Sequence, residues 1–114
     1  MATQTMRSDG KAVEVVLTAD TEKGTPVYLD GFHGITLERG DSGETVAIEV
    51  AQREHEITVE EGVTADKGDI LYIHDDGSVD ATASEGVAFM KVTVAKDDNN
   101  VVWGILLPQG APLA

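Results

Sequence analysis

The sequence predicts a mainly β chain, folded as one small β-barrel or β-sandwich. Three observations carry that prediction. Apolar and polar residues alternate with a period of two in several short runs. Glycine, aspartate and asparagine cluster between those runs at short intervals, as turn residues do. No segment joins an apolar helical stripe to capping residues. At most one or two short helical turns are expected, within Gln52–Glu56 or Ala81–Gly86.

The elements follow in order. Met1 to Lys11 are polar and aperiodic, include Gly10, and read as a flexible N-terminal arm. A single β domain is expected from 12 to 108. Its first strand is announced by Val13, Val15 and Leu17, which alternate with Glu14, Val16 and Thr18. Thr25 to Asp30 reads as a short strand around Val27, Tyr28 and Leu29. Asp30-Gly31 is a hairpin signal, and Gly34-Ile35-Thr36-Leu37 starts the next strand. Gly40-Asp41-Ser42-Gly43 is a turn cluster. Beyond it Val46, Ile48 and Val50 share one parity, and His55, Ile57 and Val59 share another. Ile70 to His74 is apolar on both parities, and Asp75-Asp76-Gly77 turns the chain. Val87 to Ala95 is rich in β-branched and bulky residues, and Asp97-Asp98-Asn99-Asn100 is the next turn. Val101 to Leu107 ends the core. Pro108 and Pro112 fence off a loose C-terminal tail, 109–114.

One phrase is written twice. Thr18-Ala19-Asp20, Lys23-Gly24, Val27-Tyr28-Leu29 and Asp30-Gly31 return as Thr64-Ala65-Asp66, Lys67-Gly68, Leu71-Tyr72-Ile73 and Asp76-Gly77. The spacing drifts slightly, as loop-length changes between two equivalent hairpins would make it. One reading is a single β unit used twice in a pseudo-symmetric barrel. The other is that turn-strand-turn segments draw on a limited vocabulary. In both, the aspartates and glycines serve turns and carry no chemistry.

Composition narrows the function. A length of 114 residues suits one domain that buries a core without staples. With no cysteine, disulfides, thiolate nucleophiles and thiolate metal sites are excluded. No apolar run reaches the length of a membrane-crossing helix, and the first ten residues lack a signal-peptide core. A soluble protein of the cell interior is therefore expected, with no membrane partner. Twenty-one acids against eight bases give a formal charge of −13 and a pI near 4.3. A nucleic-acid binder needs a basic footprint, so direct binding of DNA or RNA is not expected.

A search for chemistry finds no constellation. His33, His55 and His74 lack any metal-motif spacing. His55 shares the parity of Ile57 and Val59 and reads as a partly buried, hydrogen-bonded residue. His33 sits near a turn. Asp75-Asp76 and Asp97-Asp98 lack the alternating ligands and closing Glu of a calcium loop. No Ser lies in a nucleophile elbow, and no Gly-rich phosphate loop is present. Arg39-Gly40-Asp41 matches an integrin-type tripeptide, but turns favour Gly-Asp anyway. No catalytic residue, metal site or cofactor is expected, and the chain is not read as an enzyme. Val101 to Leu107 is apolar on both parities apart from Gly104. Such a strand needs cover on both faces. Either it is fully enclosed, or a second copy covers it with Trp103 or Leu106 near the contact.

The rhythm of Gly24 to Leu29, Gly34-Ile35, Gly43-Glu44, Gly68-Asp69-Ile70-Leu71-Tyr72 and Gly86-Val87-Ala88, closed by Val101 to Pro108, resembles small capsid decoration (cement) proteins of tailed bacteriophages. These are similar in role and general fold to the head-decoration protein of phage lambda. The resemblance spans about residues 10 to 108. Lys91, Lys96 and the Asp-Asp-Asn-Asn turn depart from the Ala-rich second half expected of the family. The resemblance implies a β-tulip-like fold and a homotrimer on the outer surface of the expanded capsid, at three-fold or quasi-three-fold sites. It implies the major capsid protein as partner, stabilisation against internal genome pressure, no catalytic role, and a stay in the host cytoplasm during assembly. It also implies that Thr3, Gln4, Thr5, Met6 and Arg7 form a capsid-binding arm. Another virion β module (tail, baseplate or head fibre) is the first alternative. A small ligand-binding barrel is the second.

Overall fold

A computed structural model describes residues 10–110. Nine strands run in chain order: β1 (Ala12–Val16), β2 (Pro26–Leu29), β3 (Phe32–Thr36), β4 (Thr45–Glu49), β5 (Glu54–Thr58), β6 (Ile70–His74), β7 (Val79–Asp80), β8 (Gly86–Val94) and β9 (Val101–Leu106). They form a four-stranded sheet of order β1-β4-β3-β2 and a five-stranded sheet of order β5-β9-β8-β6-β7. Every pairing is antiparallel. The chain is mainly β, as the alternation predicts. No helical turn forms among the described residues. Glu54-His55-Glu56 opens β5 instead, because β9 takes its backbone groups into a ladder. Residues 81–85 make a turn that closes with a 3.0 Å bond from Gly86 N–H to the Ala83 carbonyl.

The doubled phrase marks a doubled topology. Replacing β1, β2, β3 and β4 by β5, β6, β8 and β9 turns the first strand order into the second, with β7 as an addition. The phrase closes both sheets with the same pair of bonds. Gly24 N–H donates to the Thr36 carbonyl at 2.8 Å, and Thr36 N–H donates to Thr25 at 3.0 Å. In the second sheet Gly68 N–H donates to Val92 at 2.8 Å, and Val92 N–H donates to Asp69 at 2.8 Å. Gly24 and Gly68 hold φ of 82° and 91°, where a Cβ would be strained. The reading of one β unit used twice therefore rests on paired hydrogen bonds and strand order as well as on words.

The first sheet curls. Its edges, β1 and β2, bring Val15 and Val27 into one apolar cluster with Leu17, Val46 and Ile48. Val16 N–H, on β1, donates to the Asp30 carboxylate at 3.0 Å and ties one edge towards the other. The second sheet owns the larger cluster, which includes Leu71, Ile73, Phe89, Met90, Val102 and Leu106. Each fully buried side chain of this size stabilises the fold by about 1.5–3 kcal/mol relative to exposure. Ile35 joins that larger cluster from β3, and Tyr28 packs against it from β2. The first sheet thus has apolar cover on both sides of β2 and β3.

His33 sits at this junction. It is 1% exposed and meets Phe89 edge-on, with ring centroids 5.8 Å apart. Its Nε2 lies 2.8 Å from the Leu107 carbonyl, so Nε2 carries the hydrogen and donates. Gln109 completes the joint: its amide oxygen accepts from His33 N–H at 2.9 Å, and its NH2 donates to the His33 carbonyl at 2.7 Å. A side chain there copies the two bonds of a neighbouring strand. Sequence reading put Gln109 at the start of a loose tail; its side chain is fixed to β3.

Candidate functional site

The groups that carry chemistry are dispersed and locally engaged. Burial holds His33 below the usual imidazole range, with the Leu107 hydrogen bond opposing, so the ring is neutral. His74 Nε2 lies 2.8 Å from the Asp80 carboxylate, which raises the affinity of His74 for a proton. His55 Nε2 lies 2.7 Å from Glu49 Oε1, a close polar contact that links β5 to β4. Arg53 approaches the other oxygen of Glu49 at 3.8 Å. Among the described residues no group of three or more His, Asp or Glu is placed to hold a metal ion. The Arg39-Gly40-Asp41 tripeptide is tied into the fold: Arg39 bonds Asp41 at 2.9 Å and Glu22 at 3.2 Å, and Gly40 bridges Thr21. Asp20 of the first phrase accepts from Ser42 N–H at 2.9 Å, while Asp66 N–H of the second donates to Asp69 at 2.9 Å. Both aspartates serve turns, though neither closes the turn by capping its own backbone.

A cleft of about 190 Å³ lies where the Asp75-Asp76-Gly77 turn faces Pro26 to Leu29. It is smaller than the usual ligand pocket of about 300–1,000 Å³. The larger feature is the outer face of the five-stranded sheet. Along β9 the parity is regular: Val102, Gly104 and Leu106 point inward, and Trp103 and Ile105 point outward at 39% exposure each. Trp103 stands between Glu56 of β5 and Val94 of β8, and Val94 is 53% exposed. Ile105 stands between Glu54 and Lys91. A groove of about 400 Å³ runs beside Ile105 and Leu107, with Lys67 and Lys91 along it. Trp103, Ile105 and Val94 thus form an exposed apolar cluster rimmed by charge.

The residues singled out from the sequence fall in three places. Thr3, Gln4, Thr5, Met6 and Arg7 lie outside the described residues. Trp103 lies on the outer face of the five-stranded sheet. Leu106 is fully buried in the core of its own chain, so it is not available to a second copy. The alternation of β9 separates the two: residues an odd number apart face opposite ways. Ile105 and Val94 escaped the sequence reading, as did the lysine rim. Ile105 was legible in principle, because it shares the parity of Trp103. Val94 was not, since a register shift between Val92 and Val94 decides its neighbour.

Comparison with known proteins agrees with this fold. No curated protein matches the chain. The fold is similar to that of the N base of head fibre gp8.5 in bacteriophage phi29, with a TM-score of 0.54 and 12% identity over 90% of this chain and 97% of that one. At that identity the likeness concerns the fold alone. The family model of phage cement proteins matches residues 7–106, nearly the whole chain. That match shows the family: the chain belongs to the phage cement protein family, whose members are structural proteins of the phage head.

Proposed function

We propose that this chain decorates the outer surface of an expanded phage capsid as a homotrimer at three-fold or quasi-three-fold sites. There it bridges neighbouring copies of the major capsid protein and resists outward genome pressure. The observation that carries this reading is the family match over residues 7–106. The exposed Trp103 and Ile105 supply a surface for contact with a second copy. The first nine residues precede an edge strand: among the described residues β1 pairs with β4 alone. An extended arm there would add a strand to a capsid sheet, with main-chain hydrogen bonds supplying affinity. Three arms per assembly would raise avidity well above that of one arm. Binding the assembled lattice alone stabilises that lattice by mass action. In this reading the chain performs no reaction.

The test is incubation with expanded, decoration-free capsids, followed by imaging of the added density. Density at three-fold or quasi-three-fold positions is expected. Deletion of residues Met1 to Gly10 should leave a folded protein that no longer binds. Undiminished binding by the truncated protein refutes the arm's role. The similarity to a head-fibre base supports a second reading, in which the chain is the base of a fibre on the head. Recruitment of a further fibre protein, with no gain in capsid resistance to pressure or heat, would favour that one.

A further inference from the structure

We propose that acid unlatches the joint between the two sheets at His33, freeing Leu107 to Gly110 from β3 while both sheets keep their ladders. This is a property of the folded chain and does not rest on capsid binding. Three bonds converge on one residue. The His33 ring donates to the Leu107 carbonyl at 2.8 Å, and its backbone N–H and carbonyl are both taken by the Gln109 side chain, at 2.9 Å and 2.7 Å. The register between β3 and β4 runs through Ile35 and Thr36 and leaves out Phe32 to Gly34. Gln109 therefore does for this end of β3 what β4 does for the other.

The latch is built to fail on protonation. Nε2 already carries the hydrogen given to Leu107, so a second proton must enter at Nδ1. Nδ1 is buried and has no hydrogen-bond partner. The ring is 1% exposed and lies against Phe89. A buried imidazolium needs a counter-charge, and among the described residues no carboxylate pairs with this ring. Tyr28 stands across from His33 on β2. Glu49 stands opposite Ile35 on β4 and is approached by His55 at 2.7 Å and Arg53 at 3.8 Å. Along β8 the charged residue nearest Phe89 is Lys91, exposed and of the wrong sign. Leu107, Pro108, Gln109 and Gly110 carry no titratable side chain. Opening the joint gives the charged ring to water, where protonation is unopposed. His55 and His74 each face a carboxylate, Glu49 and Asp80, so a charge on either has a partner.

Packing does not demand a titratable ring here. Counted back from the closing residues Thr36 and Val92, His33 is the counterpart of Phe89, so the repeated frame accepts a plain aromatic at that position. In the second sheet the matching link is a backbone bond, from Leu107 N–H to the Phe89 carbonyl at 2.9 Å, and no side-chain charge controls it.

The experiment follows amide exchange of the full chain by NMR from about pH 7.5 to about pH 5, corrected for the intrinsic exchange rate. Protection of the His33 N–H should lie about tenfold or more below that of amides on β4 and β9, as local opening requires. It should fall by up to about tenfold per pH unit below about 6.5, because the open form takes a proton that the closed form refuses. The Gln109 NH2, bonded to the His33 carbonyl, should lose protection with the same slope. His33→Phe keeps a ring and should hold the protection of the joint flat across this range, with circular dichroism confirming its fold. A wild-type His33 amide whose protection does not change below about pH 6.5 overturns the latch. So does joint protection equal to that of β4 and β9 at every pH, since opening would then be unfolding of the whole chain. A slope that survives in a folded His33→Phe variant overturns it as well.

Discussion

The four-stranded and five-stranded sheets are two versions of one motif, and they differ where packing is tightest. The shared closing bonds make Thr36 the counterpart of Val92, which pairs Ile48 with Gly104 and Gly34 with Met90. In the first sheet the small residue is Gly34, whose absent Cβ leaves room for the Glu49 carbonyl and for Ile48 Cδ1 at 3.1 Å. In the second the small residue is Gly104, and a Cβ there would meet Met90 Sδ at 2.7 Å. The large and small members have changed places between strands. Two sheets can keep one hydrogen-bonded frame while their cores are filled from opposite sides, because density at the pair matters and the owner of the bulk does not. The second sheet covers Ile35 and His33 of the first, and each sheet leaves large apolar side chains partly in solvent, Val16 and Phe32 on the first and Trp103 and Ile105 on the second.

The largest effect should come from forcing one sheet's solution on the other. Gly104→Ile puts the first sheet's side chain where Met90 already fills the space, and should cost about 3 kcal/mol or more in urea unfolding. Adding Met90→Gly recreates the Gly34/Ile48 arrangement and should return part of that loss. A double variant no more stable than the single one would show that the two sheets are not interchangeable at this pair.

Next in size is the joint between the sheets. Gln109→Ala removes both bonds to the His33 backbone and leaves a part-buried N–H and carbonyl unmet, which should cost about 2 kcal/mol. Gln109→Glu keeps the acceptor and loses the donor, so it should fall between Ala and the wild type near neutral pH. Equal losses for the two would assign the effect to the lost bond to the His33 carbonyl, since Glu keeps the bulk of Gln.

The two sheets should also answer pH with opposite sign. His33, at the joint, binds a proton less readily than in the unfolded chain. As pH falls below about 6.5 the unfolded chain takes up a proton that the native one refuses, so stability drops by up to about 1.4 kcal/mol per pH unit until the depressed native value is reached. His74, paired with Asp80 in the β6–β7 hairpin, binds a proton more readily when folded. Its contribution is full below about 6.5 and is lost as pH rises through the elevated native value. Thus His33→Gln should flatten the acid limb of an unfolding-energy profile. His74→Gln should remove a gain on acidification that lies above about pH 6.5 and leave the His33 loss below it unchanged in slope. An acid limb unchanged by His33→Gln would separate acid sensitivity from the joint.

The smallest effect concerns the curl of the first sheet. Asp30→Ala removes the bond to Val16 N–H, at an exposed position, and should cost about 1 kcal/mol or less. Hydrogen exchange of the Val16 amide should accelerate while amides of β9 keep their protection. Equal acceleration in both sheets would mean that the edges open only with the whole fold.

Much of this was legible in the chain itself. Alternation located the strands, Asp-Gly and Gly-Asp located the turns, and the repeated phrase announced the repeated sheet, because side-chain period and turn chemistry act over a few residues. Tertiary contacts decided the rest. His33 reads as a polar residue near a turn, yet it is buried because Phe89 and Leu107, distant in sequence, arrive to cover and bond it. Trp103 and Leu106 sit on one apolar strand with nothing local to distinguish solvent from core. The second sheet's own cluster claims Leu106 and leaves Trp103 outside, since a strand's two faces are equivalent until another layer packs on one of them.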